Sequence, residues 1–290
     1  MDEAREECPL SLLDRIEECR RWNRANYRPF RVAGKTVGWV THGFAGRLSA
    51  FPRVFLVEAA GVDLAPGLGD YAERSAAVAE VLVHLRDEGM IKGWRNEPYP
   101  VGTDFYAPPL LQMERAAVPL FGVRAYGVHL NGFTGHGPDL KLWVGKRSKS
   151  KQTAPGKLDH LVAGGQPLGL TLMENLVKEC AEEAAMPAEL ARQSRPAGLV
   201  SYVTERIEGL RNDICFVFDI DLPAGFRPRN TDGEIEDFYL WPIGQVRERL
   251  AATDDFKFNV ALVNIDFLVR RGYLSPDEPG YVDIVEGLRL

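Results

Sequence analysis

The sequence predicts an α/β protein with a smaller α+β domain over residues 1–119 and a larger α/β domain over residues 120–290. Short apolar runs bounded by glycine or proline, typical of strands, occur together with amphipathic stretches typical of helices. The pattern changes near residue 119, just before an alternating run at Val123–Phe133. A chain of 290 residues is long enough for one large or two ordinary domains.

The first domain combines two helix patterns with short strands. Apolar residues at helical spacing predict a helix over residues 8–24 and another over residues 72–89, which ends at a glycine. Short apolar runs predict strands at Val37–Val40 and Val54–Val57. The proline-rich segment that begins at Trp94 predicts extended chain.

The second domain contains most of the strand patterns. Strands are predicted at Val123–Phe133, Leu140–Val144, Leu158–Ala163, Leu199–Val203, Cys215–Ile220 and Ile235–Trp241. Helices are predicted over residues 172–185, Ile243–Leu250 and Asn259–Val269. A basic polar loop over residues 145–157 and the pair Gly164-Gly165 lie between these elements.

Composition and local sequence indicate which binding partners and which cellular compartment to expect for this protein. A net charge of −6 argues against non-specific nucleic-acid binding, which needs a positive surface. No run approaches the ~18 apolar residues of a membrane span. The N-terminus is acidic where a secretory signal would be basic, and Cys8, Cys19, Cys180 and Cys215 form no C-x-x-C pair. We therefore expect a cytoplasmic protein with free thiols and without a membrane or nucleic-acid partner.

The helix over residues 172–185 has one apolar and one acidic face. Glu179 is three residues from Glu182 and four from Glu183, which places three carboxylates in one patch. Repulsion of about 0.2–0.5 kcal/mol per pair is tolerable in water, so this pattern alone is typical of a solvated helix face. The preceding Gly-Gly turn and the basic loop favour a site, because carboxylates suit Mg²⁺ and cations suit an anionic ligand.

The segment from Gly164 to Met186 resembles the Nudix box, G-x5-E-x7-R-E-U-x-E-E-x-G-U, where U is apolar. Glu179, Cys180, Glu182, Glu183 and Met186 match the motif, while Leu170, Lys178 and Ala185 stand where it has Glu, Arg and Gly. Further stretches are similar to the Nudix domain associated with eukaryotic thiamine pyrophosphokinase and its stand-alone relatives, which carry an N-terminal domain. These stretches are Trp94–Tyr99, Glu114–Ala117, Phe121–Gly132, Leu158–Gly165, Asp232–Glu236 and Phe256–Asn259. The resemblance covers residues 27–282.

The resemblance implies an α/β/α sandwich with a mixed sheet between helices, preceded by the smaller α+β domain. It implies a Mg²⁺-dependent hydrolase, with Mn²⁺ as a second candidate ion, that cleaves a diphosphate. The implied substrate is thiamine diphosphate or a damaged analogue, such as an oxo- or oxythiamine form, cleaved to the monophosphate and phosphate. The implied metal ligands are Glu179, Glu182 and Glu183.

The remaining chemistry is assigned to loops. The general base is one of the helix glutamates, or Glu234 or Glu236, which are equally typical of a charged hairpin turn. Arg147 and Lys151, which occupy an R-S-x-x-K pattern, and the pair Gly164 and Gly165 are expected to contact the substrate, although a basic loop is often only solvated. Glu114-Arg115 indicates an ion pair at the domain junction, and His129 indicates a core or hydrogen-bonded histidine. Tyr99 is interpreted as core packing rather than as a ring that stacks on a ligand.

Other functions remain open. Isomerisation of an allylic diphosphate, the reaction of the Nudix branch that includes isopentenyl diphosphate isomerase, is disfavoured. Enzymes of that branch use a cysteine near the Gly-Gly pair, and residues 162–166 contain none. A nucleoside-diphosphate-linked substrate, or a catalytically weak ligand-binding Nudix module, fits the same motifs. The expected partner is a small-molecule diphosphate. A homodimer and a contribution of the N-terminal domain to the substrate pocket are further hypotheses.

Overall fold

A computed structural model describes residues 11–151 and 153–289. The first part of the chain contains α1 (Leu12–Glu18), β1 (Tyr27–Val32), β2 (Lys35–Thr41), α2 (His42–Leu48), β3 (Phe55–Glu58), β4 (Gly61–Leu64), α3 (Tyr71–Asp87), β5 (Pro98–Val101), β6 (Leu111–Glu114) and α4 (Val118–Phe121). The strands form a four-stranded sheet in the order β2-β1-β4-β3 and a separate β5-β6 pair. Apolar residues of these strands and of α2, α3 and α4 share one core.

The second part contains β7 (Arg124–Thr134), β8 (Lys141–Arg147), β9 (Leu158–Asp159), β10 (Val162–Gly165), α5 (Leu172–Ala184), α6 (Ala188–Ala191), β11 (Arg195–Arg206), β12 (Gly209–Asp221), β13 (Ile235–Pro242), α7 (Ile243–Ala252), α8 (Phe258–Arg270) and α9 (Tyr281–Gly287). Its seven-stranded sheet has the order β11-β12-β7-β8-β13, with β10 paired to β7 and β9 to β8. The β12–β7 pair is parallel and the others are antiparallel, which confirms the mixed sheet.

Alternation along the strands buries both faces of this sheet. One face packs against α5 and α6, and the other packs against α7, α8, α9 and α1. This arrangement confirms the predicted α/β/α sandwich. Helix α1 lies early in the chain, but its apolar residues Leu12, Ile16 and Cys19 belong to the core of this second part. The Arg15 guanidinium fastens α1 by donating hydrogen bonds to the carbonyl oxygens of Leu250 and Thr253.

Most element predictions are confirmed, with two differences. The predicted helix over residues 8–24 occupies Leu12–Glu18 within the described residues, and its first positions lie outside them. The predicted strand Leu158–Ala163 is two strands, because the chain crosses from β8 to β7 at His160 and Leu161. The α3 stop is confirmed: Gly89 has φ +80°, a left-handed conformation that glycine adopts without strain.

The split between β7 and β8 creates the place for a site. These two strands pair only at Phe133 and Thr134 and then diverge, and β9 and β10 lie within the opening. Three thiols, those of Cys19, Cys180 and Cys215, are free and buried, while Cys8 lies outside the described residues. Across residues 11–151 and 153–289, no helix combines the length and apolar character needed to cross a membrane.

Candidate active site

Helix α5 presents its acidic face to β10. The helix begins at a capping box, in which the Thr171 hydroxyl accepts a hydrogen bond from Glu174 N (3.2 Å) and the Glu174 carboxylate accepts one from Thr171 N (2.9 Å). Leu176, Cys180 and Ala184 are fully buried against the sheet. Since this stripe fixes the rotation of the helix, one edge of the acidic face is buried and the other remains in solvent.

Glu183 occupies the buried edge. Its side chain is nearly inaccessible, and one carboxylate oxygen accepts a hydrogen bond from Ala163 N of β10 at 2.8 Å. Burial raises the pKa of Glu183 well above its ordinary value, and the nearby charges of Asp159, Glu179 and Glu234 raise it further. Glu183 is therefore a carboxylate held in a strongly negative, poorly solvated place.

The loop between β12 and β13 brings two more carboxylates to Glu183. Thr231 fastens the loop to the end of α5, since its backbone N and its hydroxyl both donate to Glu182 O, at 3.2 and 2.5 Å. Carboxylate oxygens of Glu183, Asp232 and Glu234 then lie within 4.8 Å of one another. We call these three residues the acidic cluster. The sequence predicted Glu234 and missed Asp232, although the polar turn that precedes β13 contains both.

The acidic cluster fits a hard divalent cation. Three carboxylates at this separation repel one another, and burial of Glu183 strengthens that repulsion. The Lys151 ammonium pairs with Glu234 and compensates only part of the negative charge. Oxygen donors of this kind suit Mg²⁺ or Mn²⁺. Glu183 from the predicted helix, together with Asp232 and Glu234 from the loop, could therefore hold such a cation.

Glu179 and Glu182 occupy different environments. Glu179 lies mostly buried against Gly164, where an added Cβ would overlap its carboxylate, and burial raises its pKa. Glu182 is half exposed and pairs with Lys178 at 2.7 Å. Lys178, which replaces the motif arginine, also pairs with Glu179, at 3.3 Å. Glu179 is close enough to Glu183 for its charge to raise the pKa of that residue, whereas Glu182 faces solvent.

Arg147, which the sequence predicts to contact the substrate, is held by the protein itself. This guanidinium is buried, and all three of its nitrogens donate hydrogen bonds within the protein: to Asp159 at 2.5 Å and to the carbonyl oxygens of Thr153 and Ala154. It is a structural anchor for the basic loop. Glu236 also differs from the prediction, because it is exposed on β13 and pairs with Lys146 at 3.2 Å, outside the acidic cluster.

Arg147 belongs to a second buried group of charges. Asp159, His160 and Lys257 adjoin it, and we call these four residues the balanced cluster. Burial alone would raise the pKa of Asp159, but Lys257 and Arg147 hold it well below its ordinary value. His129 confirms the core prediction, because it is buried and its Nδ1 lies 3.0 Å from His160 Nδ1. The sequence did not associate Lys257 with Asp159, since 98 positions separate them.

The first part of the chain reaches the site through Tyr99 and Arg115. An added Cβ on Gly165 would overlap the Tyr99 hydroxyl and approach the Arg115 guanidinium at 2.9 Å. The predicted Glu114–Arg115 ion pair is wrong in its partner, because Arg115 pairs with Glu97 at 2.8 Å. The two glycines of β10 thus have a packing reason: Gly164 accommodates Glu179, and Gly165 accommodates Tyr99.

Known proteins are similar to this chain at the level of sequence and of fold. Residues 11–125 match a family model described as "Domain of unknown function (DUF4743)". The chain is 42% identical over 281 residues to Nudix hydrolase 24, chloroplastic, of Arabidopsis thaliana, covering 96% of this chain and 77% of that protein. It is 41% identical over 287 residues to Nudix hydrolase 20, chloroplastic, of the same plant, covering 95% and 77%. The Nudix domain of Shewanella oneidensis NrtR, solved with ADP-ribose, is 17% identical with a TM-score of 0.40, over 52% of this chain and 90% of that one.

The chain shares more than 40% of its sequence with two curated Nudix hydrolases over nearly its whole length. Its fold is an α/β/α sandwich with a carboxylate cluster at a split sheet. The protein is therefore an enzyme, a Nudix-type hydrolase. The chain belongs to the Nudix hydrolase family.

Proposed function

We propose that this protein hydrolyses thiamine diphosphate, or a damaged analogue such as an oxo- or oxythiamine form, to the monophosphate and phosphate, with Mg²⁺ or Mn²⁺ bound at the acidic cluster. The observation that carries the metal-dependent hydrolysis is the convergence of Glu183, Asp232 and Glu234 within 4.8 Å. The choice of substrate rests on the motifs shared with the thiamine pyrophosphokinase-associated group. A bound divalent cation supplies charge neutralisation at the phosphate and acidifies a water molecule.

The chain's own residues divide the remaining tasks. Glu183, Asp232 and Glu234 would hold the cation, and Glu182 stays a candidate ligand from the motif. Glu179 is the favoured general base, because it borders the acidic cluster and burial raises its pKa, which makes a carboxylate a better proton acceptor near neutral pH. Gly164 and Gly165 have no side chains, so Glu179 can pack against one of these glycines and Tyr99 and Arg115 against the other.

A polar cavity beside β10 is the proposed place for the organic group of the substrate. It is lined by Tyr99, Arg211, Asp213, Lys257 and Asn259, among others. Asn259 is buried, and its Oδ1 has no hydrogen-bond partner within the described residues. Buried polar groups without partners favour a ligand that carries hydrogen-bonding atoms, such as a heterocycle.

The decisive experiment measures phosphate release from thiamine diphosphate, its oxo and oxythiamine analogues and a panel of nucleoside-diphosphate-linked compounds, with Mg²⁺, with Mn²⁺ and with chelator. Wild type is compared with Glu183→Gln and with the control Glu189→Gln, whose residue is exposed on α6. We expect metal-dependent release from the thiamine set, lost only in Glu183→Gln. Release confined to the nucleotide panel would overturn the substrate assignment, and release from nothing would favour the ligand-binding module.

Cytoplasmic localisation, a homodimer and the absence of nucleic-acid or membrane partners remain predictions from the sequence.

A further inference from the structure

The cations that the sequence assigned to the substrate are already in use. A diphosphate needs positive charge from the protein in addition to its metal ion. Arg147 is buried and donates to Asp159 and to two carbonyl oxygens, and Lys151 pairs with Glu234. We therefore look to other residues for the positive charge that binds the phosphates.

Arg115 is the nearest alternative, and it belongs to the first part of the chain. Its guanidinium lies over the Tyr99 ring, 5.4 Å from the centroid, and against Gly165 of β10. Burial raises the pKa of Glu179, and Arg115, which lies against the glycine next to the one that contacts Glu179, is among the cations that oppose this rise. Among the described residues, its one hydrogen bond is from Nη1 to Glu97, at 2.8 Å. About a third of the side chain is exposed, at 34%. The other N–H donors of the guanidinium are therefore available to a ligand.

Arg95 is a second cation, and it lines a cleft together with Arg115. The cleft has a volume of about 640 Å³ and is lined by Arg95, Arg115, Arg211 and Thr153 of the basic loop, among others. Arg95 is exposed and forms no salt bridge with a described residue. Lys151 is the main cause that holds the pKa of Glu234 below its ordinary value against burial, and the charge of Arg95 adds to this effect. Positive charge thus borders the acidic cluster on the side of the first part of the chain.

Glu114 holds this arrangement in place. Its buried carboxylate accepts hydrogen bonds from Arg95 N (2.9 Å), Glu97 N (3.2 Å) and Ala116 N (3.2 Å). The Glu114 side chain therefore connects the segment of Arg95 and Glu97 to the turn that contains Arg115. A carboxylate that bonds three backbone N–H groups is a rigid support, which is how residues that contact a ligand are kept in position.

We propose that Arg115, assisted by Arg95 and positioned by Glu114, binds the phosphates of the substrate, so that residues 11–125 complete the binding site of the hydrolase. This inference rests on the proposed diphosphate substrate but not on its thiamine group. Under this inference, the segment that matches the family model of unknown function binds the anionic phosphates of the substrate. The carboxylates of α5 cannot do so without a metal ion, because they are negatively charged.

The test measures binding without turnover. The probe is methylenediphosphonate, a non-hydrolysable diphosphate, titrated calorimetrically with Mg²⁺ into wild type, Arg115→Met, Arg115→Lys and Arg95→Met. The control is Arg47→Met, which removes an arginine of the same part of the chain that pairs with Glu88 outside the cleft. We expect Kd to rise about tenfold or more in Arg115→Met, the loss of one charge-assisted contact, and less in Arg115→Lys and Arg95→Met. Arg47→Met should match wild type.

Kinetics with a hydrolysable diphosphate provide the second readout. Arg115→Met should raise KM with a smaller change in kcat, and Glu114→Gln should raise KM without adding to the effect of Arg115→Met in the double variant. Unchanged Kd and KM in folded Arg115→Met and Arg95→Met would overturn the inference, as would a wild type that does not bind the probe. If Arg115→Met fails to fold, Arg95→Met decides alone. Binding of the probe without hydrolysis of any substrate would overturn the proposed function and leave this inference supported.

Discussion

Two groups of charges lie at the split of the sheet, and they differ in net charge. In the acidic cluster Glu183 is buried, Glu234 is half-buried and Asp232 is exposed. The balanced cluster sets Arg147 and Lys257 against Asp159, with neutral His160 beside them. The acidic cluster sets three carboxylates against one another, and Lys151 pairs with one of them, Glu234. Glu183 and Asp159 are similarly buried, but the pKa of Glu183 is raised and that of Asp159 is lowered.

This difference separates scaffold from site. Charges that compensate one another inside a protein hold segments together, and removing one partner leaves an uncompensated charge. Charges of one sign that the fold forces together have no such structural benefit, and they persist where a ligand or ion completes them. The comparison yields opposite expectations: substitutions in the acidic cluster should affect activity, and substitutions in the balanced cluster should affect stability.

The largest effect is expected for Glu183→Gln. The amide keeps the acceptor for Ala163 N but removes the negative charge, so metal-dependent hydrolysis should fall by about 10²-fold or more. The free energy of unfolding should stay the same or increase, because repulsion with Asp232 and Glu234 is relieved. Steady-state kinetics and urea denaturation measure both quantities, with Glu189→Gln as control. Equal losses of activity and stability would place Glu183 in the scaffold and end the distinction.

Arg147→Met tests the other cluster. This change leaves Asp159 buried without its closest cation, so the free energy of unfolding should fall by about 3–5 kcal/mol. The control is Arg192→Met, because Arg192 is exposed and its loss should change stability by less than ~0.5 kcal/mol. The measurement is urea denaturation in chelator. Near-wild-type stability together with a higher KM would restore the sequence-based assignment of Arg147 to the substrate.

The motifs predicted more of the fold than of the site. Apolar periodicity located α3, α5, α7 and α8 and most strands, because each of these patterns is local. The spacing of the helix carboxylates and the resemblance to the Nudix family placed Glu183 and Glu234 among the candidate site residues. The pairing of Arg147 with Asp159 was not predictable, because a basic loop and a carboxylate at a strand end look equally solvated until the chain crosses from β8 to β7. Asp232 was missed for a similar reason: nothing local distinguishes it from other turn residues until the loop docks on α5.

The balanced cluster also predicts sensitivity to acid. Burial lowers the pKa of His160 to about 4 and lowers that of His129 as well, while in the unfolded chain a histidine takes up its proton near pH 6.5. Below that pH the unfolded state binds more protons than the native state, so stability is present above pH 6.5 and decreases toward pH 4. We expect a loss on the order of 1–3 kcal/mol over that interval.

Urea denaturation at several pH values between 7.5 and 4.5 measures this loss. His160→Gln should flatten the dependence, whereas His136→Gln should leave it as in wild type, because His136 is largely exposed. A wild-type stability that is constant between pH 7.5 and 4.5 would show that the buried histidines gain compensating charge in the native state. The balanced cluster would then not behave as a fixed scaffold.

The smallest effect is expected at the end of α5, the helix that carries Glu183. Ala185 adopts the left-handed conformation, with φ +49° and ψ 34°, where the Nudix box has glycine. This conformation costs a residue with a Cβ about 1–2 kcal/mol, of which greater freedom in the unfolded chain cancels part when glycine replaces it. Ala185→Gly should therefore raise the free energy of unfolding by about 0.5–1 kcal/mol.

Ala181→Gly is the matched control, because it makes the same substitution inside the same helix at an exposed position, where it should lower stability by about 1 kcal/mol. Thermal unfolding distinguishes the two by the sign of the shift. Activity should be unchanged in Ala185→Gly, because the loop that carries Asp232 is fastened to Glu182 O and Ala184 O, which precede the substituted residue. A fall in activity with higher stability would mean that the strained turn itself keeps the three carboxylates together against their repulsion, and that part of this strain serves the site.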